Sequence, residues 1–123
     1  MSSLRFGRVQ MKIMQVIWEK GRVNAREITD KLNENSPIAH STVQTLLRKL
    51  EAKGAVDHEI DHRTFIFYPL VKAEKVTQSA LNEFVDRIFA GSPSGLVSYL
   101  IKNENISQED LKKIRDLIHE KEN

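Results

Sequence analysis

One stretch of the sequence combines an apolar stripe with a face of short polar and cationic side chains. At helical spacing, the apolar residues of 41–53 fall within an arc of about 100°; they are Val43, Leu46, Leu47 and Leu50. Glu51 is the only acid, at the edge of a face that carries Ser41, Thr42, Gln44, Thr45, Arg48, Lys49 and Lys53. Hydroxyls allow close approach to phosphates, glutamine can pair with adenine, and Arg or Lys with guanine or phosphate. This is the chemistry of a helix that reads a DNA major groove, although many amphipathic surface helices share the stripe.

The elements before this segment help to choose between the two interpretations. Apolar periodicity predicts a first helix over about residues 7–20, buried on most of its circumference, and a second over residues 25–33. The third helix spans about residues 39–53. It begins either with Pro37 at its first position or nearer Ala39.

After Gly54 the apolar period changes from 3.6 to 2. Residues 56–60 alternate, and residues 64–68 are rich in β-branched and aromatic side chains, which predicts a hairpin with a three-residue tip at 61–63. Three helices followed by a hairpin is the order of a winged helix, in which the third helix enters the major groove and the hairpin reaches the adjacent backbone. This order favours the DNA-binding interpretation.

Three more amphipathic helices are predicted, over about residues 73–90, 94–102 and from Ser107 onward. Their apolar faces exceed what a small winged helix needs to cover, so we expect them to pack against a second copy of the chain; the alternative is that they fold back on their own winged helix. The predicted protein is mainly α, with a DNA-binding domain at 1–71 and a helical dimerisation domain at 72–123. The predicted dimerisation residues are Leu81, Phe84, Val85, Ile88, Phe89, Leu96, Leu100, Leu111, Ile114, Leu117 and Ile118.

Composition excludes several other classes of protein. The 123 residues hold no apolar run of the length that a membrane span requires, no cysteine, and no apolar segment near the N-terminus typical of a secretory signal. We therefore expect a soluble, cytoplasmic protein without membrane insertion. The net charge is only +2, but residues 1–70 carry 11 Lys/Arg against 8 Asp/Glu, so the basic excess lies in the predicted DNA-binding half.

Other chemistry is weakly supported. His58 and His62 lie near acids at the hairpin tip and could bind a metal, but solvated hairpin residues are the better interpretation. His40-Ser41 lacks a third orienting group, and no glycine-rich phosphate loop exists, so we expect no enzyme, cofactor or metal. Phe65 and Phe67 are expected in the strand core, whereas Tyr68 could pack there or stack on a base.

Three blocks of the sequence resemble the penicillinase/methicillin-resistance repressor family (BlaI/MecI), which includes copper-responsive repressors. The third-helix block Ser-Thr-Val-x-Thr-Leu-Leu-x-x-Leu-x-x-Lys-Gly begins at Ser41 and is the most specific of them. The others are Ile13-Met14-Gln15-Val16-Ile17-Trp18 in the first helix and Ala25-Arg26-Glu27-Ile28 in the second. The similarity continues through Gly95-Leu96-Val97 and the last helix, so it covers nearly the whole chain.

The resemblance implies a homodimeric repressor that binds a palindromic, double-stranded DNA operator. The residues that it places at the DNA are Ser41, Thr42, Gln44 and Thr45, with Lys49 nearby and Arg63 on the wing. Helical geometry selects the same face and adds Arg48. His62, which flanks the wing tip, is included in the predicted DNA-binding set.

The resemblance also suggests how repression could be relieved. In the β-lactam branch of the family, a membrane sensor pathway leads to cleavage of the repressor, and the scissile bond aligns with Tyr99-Leu100, where the Asn-Phe pair of the family is absent. Whether this chain is cleaved there is therefore left open. The cysteine hook of the copper branch is excluded, because the sequence contains no cysteine. The alternative functions are a winged helix used for protein–protein contact and a nonspecific DNA-binding protein.

Overall fold

A computed structural model describes residues 5–123 of the chain. The expectation that the N-terminus is not a secretory signal rests in part on residues 1–4, which lie outside this range. The helices and strands, in chain order, are α1 (Arg8–Lys20), β1 (Val23–Asn24), α2 (Ala25–Asn33), α3 (His40–Ala52), β2 (Val56–Asp61), β3 (Thr64–Pro69), α4 (Ala73–Ile88), α5 (Pro93–Asn103) and α6 (Gln108–Glu122). The predicted fold class, a winged helix-turn-helix followed by three helices, is confirmed.

The chain divides into two compact units between Ala80 and Leu81, within α4. The first unit therefore includes more of the chain than the predicted DNA-binding domain, which ends at residue 71. That domain boundary remains a prediction, because compactness does not show which residues fold or bind independently.

The core of the first unit joins α1, α2, α3 and the sheet. Each helix contributes the apolar stripe expected from its periodicity, and the central side chains are almost completely buried: Ile13, Met14, Ile17, Ile28, Val43, Leu47 and Leu50. Trp18 anchors α1 to the segment after the hairpin, because its indole Nε1 donates a hydrogen bond of 2.9 Å to the Val71 carbonyl. These contacts fix which face of α3 meets solvent.

The turn between α2 and α3 is closed by one side chain. The Asn33 amide donates to the carbonyls of Thr29 and Ile38 at 2.8 and 3.0 Å, and its oxygen accepts from the Ile38 backbone N–H. α3 then begins at His40 with Ala39 as its N-cap, the later of the two starting points considered from the sequence. Pro37 therefore lies in the turn before α3 and not in the helix.

The hairpin is part of a three-stranded antiparallel sheet in the order β1-β3-β2. β1, only two residues long, was not predicted, because it has no alternation of its own and exists only through its pairing with β3. The predicted three-residue tip is wrong. Asp61 pairs with Thr64, so the tip is His62-Arg63, and both have positive φ, at 50° and 69°. Positive φ at both central residues is the requirement of a type I′ turn, which matches the twist of the strands.

The second unit leaves much of its apolar surface exposed. Val85 is buried, but in the described chain α5 and α6 bury none of their residues. Both helices begin at serine N-caps: the Ser92 and Ser107 hydroxyls accept from the backbone N–H groups of Gly95 and Asp110. Among residues 5–123, no helix has the length and apolar character to cross a bilayer.

We expect Leu50→Ala to lower the free energy of unfolding by about 2–5 kcal/mol, because Leu50 is fully buried where α3 meets the core. Urea denaturation followed by circular dichroism measures this loss. The control is Ile60→Ala on the hairpin, where the side chain is 66% exposed and the change should be within about 0.5 kcal/mol. An equal loss of unfolding free energy in the two variants would contradict the burial of this face of α3 in the core.

Candidate nucleic-acid interface

The exposed face of α3 holds the residues predicted from helical spacing. Val43, Leu47 and Leu50 are buried, which turns the opposite side of the helix to solvent. The exposed side chains are Ser41, Thr42, Gln44, Thr45, Arg48 and Lys49. Helix α3 thus presents hydroxyls, one amide and two cations together, with no carboxylate among them.

Thr45 positions one of these cations. Its hydroxyl donates to the Ser41 carbonyl at 3.0 Å and accepts from the Arg48 guanidinium at 3.3 Å. The hydroxyl proton is therefore used within the helix, and the Arg48 side chain remains exposed. Thr45 contributes to this surface by orienting Arg48 as well as by its small size.

Lys53, included in the polar face from the sequence, does not extend that face. Its ammonium group donates to the Arg5 carbonyl at 2.6 Å and to Gln10 Oε1 at 3.1 Å, and it lies over the ring of Phe6. Lys53 connects the end of α3 to the start of α1. The helical projection failed here because Lys53 is past the last helical residue, where the chain turns towards β2.

A groove of about 550 Å³ separates α3 from the sheet. Three arginines reach it from three elements: Arg26 from α2, Arg48 from α3 and Arg63 from the hairpin tip. Its other lining residues are polar or apolar, and no acid is among them: Asn24, Ala25, His40, Gln44, Leu47, Thr64, Phe65 and Phe67. A groove lined by three arginines and by no acid favours an anion over a cation.

The arginines of the groove are available for an external partner. Among the described residues, the side chains of Arg26 and Arg63 have no hydrogen bond or ion pair, and the hydrogen bond of the Arg48 guanidinium is to Thr45. Arg26 was not predicted as a site residue, because its position on α2 gives no sign that the fold brings it to α3. Its place in the second block of family resemblance was the one signal that could have found it.

His40 was also missed, and it fixes α3 against α2. Its Nδ1 lies 2.8 Å from Thr29 Oγ1. The single hydroxyl proton of the buried Thr29 goes to the Ala25 carbonyl at 2.9 Å. The imidazole Nδ1 must then carry a hydrogen and donate it to Thr29 Oγ1. His40 thus holds the first turn of α3 at the groove.

On the outer face of the hairpin, Arg22 and Glu59 form a bidentate ion pair. The two hydrogen bonds measure 2.8 and 3.2 Å, and the Arg22 guanidinium also lies over the ring of Tyr68. The hydrogen bond and the charge of Arg22 lower the pKa of the Glu59 carboxyl, and Glu59 in turn raises the pKa of Arg22. The stability that the pair contributes is therefore fully present above the ordinary pKa of a glutamate and is lost as pH falls through the lowered value. It also neutralises an acid of the hairpin.

The two histidines of the hairpin have different environments. His62 is at the tip, 97% exposed and 2.7 Å from Asp61, as expected for a solvated residue. The same expectation is wrong for His58, whose side chain is 23% exposed and whose Nδ1 lies 2.5 Å from Glu51 Oε1. Its ring stacks on Phe65 at 4.0 Å between centroids. Phe65 is 47% exposed, so it is not the core residue that was predicted, whereas Phe67 is buried.

The predicted dimerisation residues in the second unit are mostly exposed in the single chain. Leu81, Phe84, Ile88, Leu100, Leu117 and Ile118 are between 40% and 64% exposed. Val85 differs, because it is 8% exposed. Phe84, Phe89 and Tyr99 form an aromatic chain with centroid distances of 5.8 and 6.0 Å. The Tyr99-Leu100 bond lies inside α5.

The penicillinase repressor family model matches residues 6–120. The chain is 25% identical over 114 residues to the penicillinase repressor of Bacillus licheniformis, covering 93% of this chain and 89% of that protein. It is 24% identical to the methicillin resistance regulatory protein MecI of Staphylococcus aureus (strain N315), covering 91% of each. The solution structure of monomeric Bacillus licheniformis BlaI with the blaP half-operator matches 57% of this chain and 85% of that one, at 28% identity and a TM-score of 0.50.

We expect the double variant His62→Asn, Arg63→Gly to raise the free energy of unfolding by up to about 1 kcal/mol. Asn-Gly is the preferred type I′ pair, whereas His and Arg pay for positive φ. The control, Arg63→Ala, removes the same charge but keeps a side chain at φ 69°, so it should give no gain. Urea denaturation of both variants measures the difference, and equal stability would contradict the assigned turn.

Proposed function

This chain belongs to the penicillinase repressor family of DNA-binding transcriptional repressors, and we propose that it acts as a homodimer on a palindromic operator. In this proposal α3 enters the major groove and the hairpin tip, about residues 61–63, contacts the adjacent backbone. The observation that carries it is the acid-free groove where Arg26, Arg48 and Arg63 meet. A cytoplasmic location and a regulatory, non-enzymatic role follow from the proposed DNA target.

In this proposal the residues of the interface have different tasks. Gln44 and Arg48 can make paired hydrogen bonds to base edges, because both are exposed on the outward face of α3. Arg63 at the hairpin tip has the reach and charge for a phosphate, as has Arg26 at the start of α2. Ser41 and Thr42 stand in the first turn of α3, where short side chains let the helix approach DNA closely. Lys49 and His62 complete the proposed surface.

Dimerisation is supported by the apolar surface of the second unit. Exposed apolar side chains on α4, α5 and α6 gain free energy when a second copy covers them. Two winged helices are also needed to occupy two half-sites of a palindrome, about 34 Å apart per helical turn. The competing proposal, that these helices cover their own winged helix, requires a stable monomer.

Relief of repression by proteolysis would act on this second unit. The Tyr99-Leu100 bond is helical, so α5 has to open locally before a protease could bind it in extended form. Cleavage there would separate the end of α5 and all of α6 from α4. In this proposal a membrane sensor pathway supplies the signal.

We expect Arg48→Ala to weaken operator binding by about 1–3 kcal/mol, because a base contact is lost. The measurement is fluorescence anisotropy with a fragment of the upstream region of the gene and with a scrambled fragment, at two salt concentrations. Arg115→Ala, an exposed arginine on α6, is the control and should leave the affinity unchanged.

The same titrations discriminate between the functions. Affinity that falls steeply with salt on both fragments equally would indicate a nonspecific DNA-binding protein. Weak binding to both would favour a protein-interaction module. If the Arg48→Ala variant binds the operator fragment with unchanged affinity, the proposal that α3 contacts DNA is wrong.

We expect Phe84→Asp to convert the dimer into monomers, because the change puts a charge into an apolar interface. Analytical ultracentrifugation at micromolar protein measures the state, and circular dichroism confirms that the helices persist. The matched control is Ser79→Asp, which adds the same charge to α4 about 140° away around the helix. A folded Phe84→Asp variant that sediments as a dimer would contradict the assigned interface.

A further inference from the structure

Three potential metal ligands meet where α3 ends and the hairpin begins. Glu51 lies in the last turn of α3, and Asp57 and His58 are neighbours on β2. One ligand atom from each lies within 4.8 Å of the other two, and Glu51 Oε1 and His58 Nδ1 are 2.5 Å apart. This set differs from the pair considered from the sequence, because it contains His58 but not His62.

The backbone of this corner is held in place by its own hydrogen bonds. Gly54, with φ of 80°, reverses the chain, and its N–H donates to the Glu51 carbonyl at 3.0 Å. Ala55 donates to Leu50 at 3.0 Å and accepts from Leu70 at 2.9 Å, which attaches the corner to the end of β3. The relative backbone positions of the three residues are therefore set before any ligand binds, which lowers the entropy cost of binding.

The imidazole of His58 is also oriented. It stacks on Phe65 at an interplanar angle of 11° and contacts Phe67 at 5.6 Å. The Asp57 carboxylate accepts a hydrogen bond from the His58 backbone N–H at 2.8 Å. Among the described residues, neither Asp57 nor Glu51 forms an ion pair with a lysine or arginine. The corner thus holds two carboxylates that have no fixed cation.

We propose that Glu51, Asp57 and His58 bind one divalent transition-metal ion, with Zn²⁺ as the best fit. One imidazole nitrogen and two carboxylate oxygens are zinc ligands at about 2.0–2.2 Å, which for a tetrahedral ion places ligand atoms about 3.4 Å apart. When Zn²⁺ binds, the proton shared between Glu51 Oε1 and His58 Nδ1 is released to solvent, and the two atoms separate by under ~1 Å. Asp57 must also move closer, and both adjustments fall within side-chain rotation. Glu51 and Asp57 are accessible from solvent, so the ion has an entry path and water can complete its coordination. The bound ion would tie α3 directly to the hairpin.

The test is titration of the chelator-treated full chain with Zn²⁺ by isothermal calorimetry, with Co²⁺ absorbance as a check of coordination. We expect one ion per chain and a rise in melting temperature with excess Zn²⁺. Asp57→Asn keeps the size of the side chain and its acceptor for the His58 N–H, so it should fold normally but bind Zn²⁺ at least about tenfold more weakly. Glu51→Gln should weaken binding in the same way.

The matched control is Asp61→Asn, which removes an acid from the same strand beside His62 and should leave Zn²⁺ affinity unchanged. Nuclear magnetic resonance of the imidazoles identifies the ligand, and the ring signals of His58 should shift before those of His40, His62 and His119. Three results would each overturn the proposal: no heat of binding, equal affinity in Asp57→Asn and the unsubstituted chain, or a first shift at another histidine. None of these readouts depends on DNA, so failure of the metal site and failure of the repressor function are distinguishable.

Discussion

Burial of the apolar stripe of α3 is the constraint on which the rest of this structure depends. Val43, Leu47 and Leu50 are inserted between α1, α2 and the sheet, and each is nearly inaccessible. A helix with one buried stripe has no freedom to rotate about its axis, so the polar side must face outward. The same burial sets the distance between α3 and the hairpin, and with it the width of the groove. The Asn33 turn and the His40–Thr29 hydrogen bond then fix where the helix begins.

Placement of charge follows from this geometry. The groove that would meet DNA contains three arginines and no acid, although eight Asp and Glu residues occur in the first 70. Two of these acids lie on the hairpin or beside it and have partners of their own: Glu59 pairs with Arg22 and Glu51 with His58. A carboxylate in the groove would repel phosphates and pair with the arginines, so its exclusion leaves those cations free for an external anion. Because the acids lie on other faces, the groove can attract an anion although the net charge of the chain is small.

The two units satisfy their apolar side chains differently. The first has a core formed by four elements, whereas the second leaves large side chains of α4, α5 and α6 in solvent when it is considered alone. Helices of 11 to 16 residues gain most of their stability from packing of an apolar face and little from helix propensity. The second unit therefore provides the interface of the proposed homodimer.

The sequence by itself determined the elements and which face of α3 is exposed. Apolar periods of 3.6 and 2, helix caps and the order of elements were sufficient to predict a winged helix. Helical spacing also identified Gln44, Arg48 and Lys49 as exposed, because their exposure depends only on burial of the apolar stripe on the opposite side of α3. The tertiary structure decided everything that joins distant residues. It created β1 through pairing with β3, moved Lys53 to the start of α1, and brought Arg26 to the groove. It also changed His58 from a solvated hairpin residue into a partner of Glu51, and it left Phe65 half exposed. The physical reason is that periodicity reports which side of an element is buried, whereas contacts between elements depend on chain reversals, such as those at Gly54 and His62-Arg63, that no period encodes.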